Sequence, residues 1–227
     1  VIIAKFISVQ AVTIYAVIGK TYQLVQMIGN MVMTSLLPIS FNILPKANPI
    51  ERSQLISSAV KYRTIVMSFS STILILIMPS FIRNWMGPEF EQYVYWGQVY
   101  LICHFFSGLM SLSRVGRIAG VMKFVNIAAS LKVLINFGFS IFFVHAYGWY
   151  GVILGTLSSN LLFGELIWGG YVCRKLNIPY RHVLKSFFIP NIICIIFLFL
   201  GIILNIPDLC LDWIGLVTMS IFIGLVF

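Results

Sequence analysis

The chain has 227 residues, of which 60% are hydrophobic and only 9% are charged. A soluble domain carries about 25% charged residues, so this composition excludes an ordinary water-soluble fold and indicates lipid as the solvent of its surface. The 15 Lys and Arg give a net charge of +9. They form no stripe with interleaved aromatic residues, so we expect no nucleic-acid binding. We interpret them as charges that set the membrane topology or contact phosphate groups.

Apolar runs divide the whole chain. A helix needs about 20 mostly apolar residues to cross the bilayer core, and strand-like alternation is absent from these runs. Because backbone groups in lipid must be satisfied internally, the sequence predicts an all-α integral membrane protein, with residues 1–227 as one domain of about seven transmembrane helices. The predicted spans are 13–44, 64–82, 92–113, 124–144, 150–173, 186–207 and 213–227.

The two ends of the chain lie inside apolar runs. Val1 is not a methionine, Phe227 reaches no polar flank, and no signal-peptide pattern is present. We therefore expect this sequence to be a piece of a longer protein.

The polar links contain helix start and stop signals. Asn48, Pro49 and Glu51 have the pattern of an N-cap, a first helical position and an N3 acid. A helix starting there would run through Arg63 into the next span. Gly87 followed by proline predicts a break after Trp85.

The charges of the links alternate along the chain. The positive-inside rule places the links rich in Lys and Arg, with Arg63 among these charges, in the cytoplasm. The other links carry few or no basic residues. The basic links are 46–63, 114–123 and 174–185, and the remaining links are 83–91, 145–149 and 208–212.

Enzyme signatures are missing from the sequence. His104, His145 and His182 lie in different segments, and there is no HExxH, GxSxG or Walker A pattern. We therefore predict no catalytic residue, no metal site and no cofactor. The four cysteines show no CxxC spacing and are interpreted as small apolar packing residues.

Two charges fall inside predicted spans, where a charge is costly and usually faces a cavity or a partner. Lys132 and Glu165 each lie about eight residues from the cytoplasmic end of their spans, roughly 12 Å below the same surface. An ion pair between them could fasten two helices or line a hydrophilic cavity. Asn136 lies one helical turn after Lys132, on the same face.

Three further cations complete the candidate substrate-binding residues. Arg114 and Arg117 share a helix face at a cytoplasmic end, where they would either bind lipid phosphates or attract an anionic substrate headgroup. Lys20, in the outer part of the first span, either snorkels to the surface or lines an outer cavity. Gly151, Gly155 and Ser159 repeat every four residues and predict close helix packing.

Four stretches carry a family resemblance. They are Val12–Val17, Leu36–Pro38, Phe81–Phe90 and Tyr147–Thr156, and Asn136 falls where the family often has Asn. In this order and spacing the chain resembles the Wzx-type polysaccharide (O-antigen) flippases, in the superfamily that also holds the multidrug MATE exporters.

The resemblance implies a fourteen-helix bundle with two lobes around a central cavity, of which this chain would be the C-terminal lobe. It implies a multi-pass protein of the bacterial cytoplasmic (inner) membrane that flips an undecaprenyl-pyrophosphate-linked oligosaccharide by alternating access, for O-antigen of lipopolysaccharide or for capsule. Cationic cavity residues would hold the pyrophosphate. The expected partners are the lipid-linked oligosaccharide, membrane lipids, a polysaccharide polymerase and glycosyltransferases.

Alternatives stay open. A drug or small-molecule exporter and a lipid II flippase belong to the same superfamily. The slight excess of positive charge inside the membrane, Lys20 and Lys132 against Glu165, favours an anionic lipid-linked substrate. An integral membrane enzyme of envelope polysaccharide synthesis would need a sizeable outer loop, and the predicted outer links are short. A purely structural subunit would not require charges inside the membrane.

Overall fold

The computed structural model describes residues 9–43, 46–118, 122–163 and 165–204, and over these ranges it is helical with no strand. Two 3-10 helices, Pro88–Tyr93 and Cys103–Leu109, lie before and after the α-helix Val94–Ile102. The α-helices are α1 (Val9–Ile43), α2 (Pro49–Met86), α3 (Val94–Ile102), α4 (Met110–Ile118), α5 (Met122–Tyr147), α6 (Tyr150–Phe163), α7 (Glu165–Lys175) and α8 (Tyr180–Ile203).

Four helical stretches in the described ranges are long and apolar enough to cross a membrane: α2, Pro88–Gly116, α5 and α8. Within their most apolar windows only 17% of α5 and 28% of α8 is buried. Strongly apolar helices that leave most of their surface uncovered are suited to lipid and not to water. The prediction of an all-α membrane protein is therefore confirmed as far as helical structure and apolar helices go, whereas the count of seven spans stays a prediction.

Three predicted spans do not correspond to any of these four stretches: 13–44, 150–173 and 213–227. The span predicted over 13–44 is helical as far as Ile43, as part of α1, but α1 is not among the four. The stretch predicted over 150–173 corresponds to α6 and α7. Residue 164 between them and the predicted span 213–227 lie outside the described residues.

Among the described residues, the links 83–91 and 145–149 lie at one end of the bundle and the basic links at the other, while the link 208–212 lies outside the described residues. At one end, Trp96 stacks on Tyr150 at 4.2 Å and Tyr93 packs against Trp149 at 6.0 Å, which joins the links after α2 and α5. At the other end, the three basic links come together around one buried cluster. This cluster contains Ile56, Val115, Val125, Val172 and Val183.

The predicted start of α2 is confirmed. The Glu51 amide donates to the Asn48 side chain at 2.9 Å, and the Asn48 amide donates back to the Glu51 carboxylate at 3.0 Å. The predicted break is also present, since α2 ends at Met86. Gly87 follows with φ of 106°, a conformation that glycine adopts without strain.

The small residues of α6 allow α5 to approach closely, as predicted. A Cβ atom added to Gly151 would lie 2.3 Å from the carbonyl carbon of Phe143, and one added to Gly155 would lie 2.5 Å from the Ser140 hydroxyl oxygen. Ser159 is fully buried. Larger side chains at these glycines would force the two helices apart.

A polar cleft along helix α1

A cleft of about 480 Å³ lies beside α1. This size is within the range of sites that bind small molecules. Its lining combines amide, hydroxyl and ammonium groups in a chain that is otherwise apolar. The lining residues are Tyr15, Ala16, Gly19, Lys20, Tyr22, Gln23 and Gln26 of α1, with Tyr100 of α3.

The polar residues of the cleft share one side of α1. Lys20, Gln23 and Gln26 follow one another at intervals of three, so they lie on one face of the helix. Lys20 and Gln23 are exposed, and Gln26 is half-buried. Lys20 lines this cleft, and the choice between snorkelling to the outer surface and lining an outer cavity of the transporter stays a prediction.

Aromatic rings form one wall of the cleft, called here the aromatic wall and consisting of Tyr15, Tyr22 and Tyr100. Tyr22 stacks on Tyr100 with ring centroids 4.2 Å apart, and the Tyr100 and Tyr15 hydroxyl oxygens are 3.5 Å apart. Sequence reasoning missed this group. Its one local signal is the seven-residue spacing of Tyr15 and Tyr22, which places them on the same face two turns apart.

His104 supports the aromatic wall from outside the cleft lining. Its ring stacks on Tyr22 with centroids 4.0 Å apart, and its Nε2 lies 3.0 Å from the Tyr22 carbonyl oxygen. The ring is buried, and among the described residues its Nδ1 has no hydrogen-bond partner. Since a carbonyl only accepts, this contact requires the proton on Nε2.

Arg63 is buried at the meeting point of three elements, with only 1% of its surface exposed. Its Nε donates to the Ser107 carbonyl at 3.0 Å and its Nη1 to the Gly29 carbonyl at 3.3 Å. Counting Arg63 among the loop charges was therefore wrong. Because α2 already begins at Pro49, Arg63 lies about 21 Å along the helix axis, well beyond the link.

Arg114 contacts the polar side of α1 further along the helix. Its Nη2 donates to the Asn30 side-chain oxygen at 2.7 Å, and the arginine is half-buried. This contact directs the guanidinium towards α1. The Arg117 side chain lies outside what the structure describes.

Lys132 and Asn136 lie on α5, and neither lines the cleft. Lys132 is half-buried. Asn136 accepts a hydrogen bond of 3.0 Å from the Ser140 hydroxyl. The predicted ion pair with Glu165 stays a prediction, because the Glu165 side chain is outside the described part.

The cysteines that the structure describes are buried free thiols: Cys103, Cys173 and Cys194. They pack within the apolar clusters, as predicted, and Cys210 lies outside the described residues. In the ranges searched, no three His, Cys, Asp or Glu side chains come together in a way that could hold a metal ion.

Compared with protein-family models, with curated proteins and with solved structures, the chain gives no match. The cleft and its chemistry are therefore the starting point for a functional assignment.

Proposed function

We propose that this chain is the C-terminal lobe of a fourteen-helix, MATE-like transporter. The whole transporter flips an undecaprenyl-pyrophosphate-linked oligosaccharide across the bacterial cytoplasmic membrane by alternating access, for the synthesis of O-antigen or capsule. The observation that carries this proposal is the polar cleft on α1. There Lys20 lies among hydrogen-bonding groups, in a bundle whose other helices include four stretches apolar enough to cross a membrane.

The chemistry of the cleft matches a saccharide carrying an anion. Hydroxyl-rich ligands need both donors and acceptors, and Gln23, Gln26 and Tyr15 supply both. Lys20 supplies the positive charge that a phosphate requires. An apolar ligand would leave these groups unpaired, at a cost of about 1–3 kcal/mol for each group deprived of a partner.

Cations lie at two levels along the same side of α1. Lys20 lines the cleft, and Arg114 contacts Asn30 about 15 Å further along the helix axis. In the orientation that the loop charges predict, Arg114 is near the cytoplasm and Lys20 is near the outer surface. A lipid-linked anion crossing the membrane would then meet a cation at both stages.

The other candidate residues lie on α5 and at the start of α7. We propose that Lys132 and Asn136 face the cavity when the transporter changes state, and that Glu165 balances the charge of Lys132. Lys132 is half-buried in an apolar helix, where a charge usually faces a cavity or a partner, and this supports the role.

Short connections argue against an envelope-synthesis enzyme. The 3-10 helix Pro88–Tyr93 alone separates α3 from Gly87 at the end of α2, and only Gly148 and Trp149 separate α5 from α6. Neither of these two described connections has room for an extramembrane catalytic loop.

Complementation tests the proposal. The full-length gene is placed in a bacterium that lacks its O-antigen flippase and carries the matching sugar-assembly genes, and surface polysaccharide is scored by gel. We expect restored polymer with the wild-type gene. Absence of polymer despite confirmed membrane expression and an intact lipid-linked precursor would contradict the proposal and favour a small-molecule exporter.

A further inference from the structure

An unusual helical segment lies in the middle of the span Pro88–Gly116. Residues Cys103–Leu109 form a 3-10 helix of seven residues between α3 and α4, and six of the seven are buried. Such runs rarely exceed three or four residues, because their hydrogen-bond geometry is poorer than that of an α-helix. Contacts from outside the segment must therefore stabilise it.

Arg63 and Asn191 provide these contacts. Arg63 donates to the Ser107 carbonyl, and the Asn191 amide donates to the Phe105 carbonyl at 3.0 Å. The backbone at Gly108 lies against Thr64, so closely that an added Cβ atom would come within 2.0 Å of the threonine hydroxyl. The segment is thus fixed to α2 and α8.

The 3-10 geometry determines where His104 points. Side chains three residues apart eclipse one another in a 3-10 helix, so residues 104 and 107 lie along the same edge. Conversion of the seven residues to α-helix would shorten the segment by about 3.5 Å and turn each residue by about 20° relative to the last. Such a conversion would move His104 relative to Tyr22, so the stacking of the two rings depends on the segment keeping its 3-10 geometry.

A continuous set of contacts therefore joins Arg63 to the cleft. Arg63 holds Ser107, the shared segment places His104, and His104 stacks on Tyr22, which stacks on Tyr100. Only the last two of these side chains line the cleft. We propose that Arg63 and His104 are positioning residues of the transporter, which hold the aromatic wall in its substrate-binding arrangement without touching the substrate.

This inference rests on the proposed function and is tested first by transport kinetics. The full-length protein is reconstituted in vesicles with its lipid-linked oligosaccharide, and flipping is measured against substrate concentration. Arg63→Met should raise KM roughly ten-fold, the equivalent of one lost charge-assisted hydrogen bond, while the maximal rate per folded molecule stays within about two-fold of wild type. Arg63→Lys, which keeps a donor, should fall between the two.

Three further variants separate positioning from stability. Ile56 is as buried on α2 as Arg63 but packs in the cluster at the basic end, so Ile56→Ala should lower the folded yield and leave KM unchanged. His104→Phe keeps a ring against Tyr22 and should retain a nearly normal KM, whereas His104→Ala should resemble Arg63→Met. If His104→Ala and Arg63→Lys both show the wild-type KM, the inference is wrong, whatever the fate of Arg63→Met.

A second readout does not depend on flipping. In a full-length protein whose native cysteines are replaced by alanine, Gln23→Cys places a thiol in the cleft, and its reaction rate with a water-soluble thiosulfonate is measured. Adding Arg63→Lys or His104→Ala should change this rate several-fold, because the aromatic wall moves. If the wild-type protein fails to flip the substrate but the added substitutions change the labelling rate, the proposed function is wrong and the positioning role is supported. If the added substitutions leave the labelling rate unchanged, the positioning role is wrong.

Discussion

Helices α1 and α5 are both long and both leave much of their surface uncovered, but they expose different chemistry. The exposed residues of α1 include Lys20 and Gln23, whereas those of α5 include Leu134 and Phe137, which are 67% and 55% exposed. Lipid tolerates the second surface and not the first. We therefore expect that the apolar side of α5 at Leu134 and Phe137 faces lipid and that the polar face of α1 faces an aqueous or ligand-filled cavity.

The largest expected effect concerns the side of α5 that faces the protein. Gly151→Leu would place atoms where the Phe143 backbone already lies, so we expect loss of most folded protein, with a cost of several kcal/mol from overpacking. Gly138→Leu is the matched control, because a Cβ atom at Gly138 meets nothing within 4 Å. Size-exclusion chromatography of the fluorescently tagged full-length protein measures both. Equal yields of the two variants would show that α5 and α6 do not pack as described.

The next effect concerns the cation of the cleft. Lys20→Ala should lower surface polysaccharide at least ten-fold, since a lost charged contact is worth about 1.5–3 kcal/mol. Leu134→Ala on the apolar side of α5 is the control and should leave export unchanged. Normal export by Lys20→Ala at normal expression would remove the functional difference between the two helices.

Lys132 is a charge in the middle of α5 and sharpens the comparison. Its side chain is half-buried in an apolar helix, where a charge usually faces a cavity or a partner, so Lys132→Ala should lower export several-fold, by less than Lys20→Ala because Lys132 does not line the cleft. Arg181, exposed near the start of α8, is the matched cation, and Arg181→Ala should retain normal export. Equal surface-polysaccharide levels in the two variants would contradict a role for the intramembrane charge.

Local patterns in the sequence predicted the parts of the fold that depend on neighbours in the chain. The Asn48 cap, the break at Gly87 and the close packing at Gly151 each follow from a few consecutive or regularly spaced residues. The described basic and non-basic links lie at opposite ends of the bundle, which agrees with the alternation of their charges, and their cytoplasmic or outer location stays a prediction.

Contacts between distant segments were beyond that reasoning. Arg63 looked like a link charge because nothing near it in sequence reveals Ser107, 44 residues away. The aromatic wall joins Tyr22 to Tyr100, and each tyrosine alone resembles an ordinary interfacial residue. Lys20 was identified from its cost in lipid, but its amide neighbours Gln23 and Gln26 were not, since an uncharged residue gives a weaker signal.

The smallest expected effect tests the comparison most directly, because it makes the same change on both helices. Leu24 on α1 and Leu134 on α5 are both exposed, at 50% and 67%. If α5 faces lipid, Leu134→Gln exposes an amide to hydrocarbon and should lower stability in lipid nanodiscs by about 1–3 kcal/mol. If the exposed side of α1 faces a cavity, Leu24→Gln should stay within about 0.5 kcal/mol of wild type. Thermal unfolding of the two full-length variants measures the difference. An equal loss in both would mean that α1, despite Lys20 and Gln23, lies against lipid as α5 does, and the cleft would then open to the bilayer.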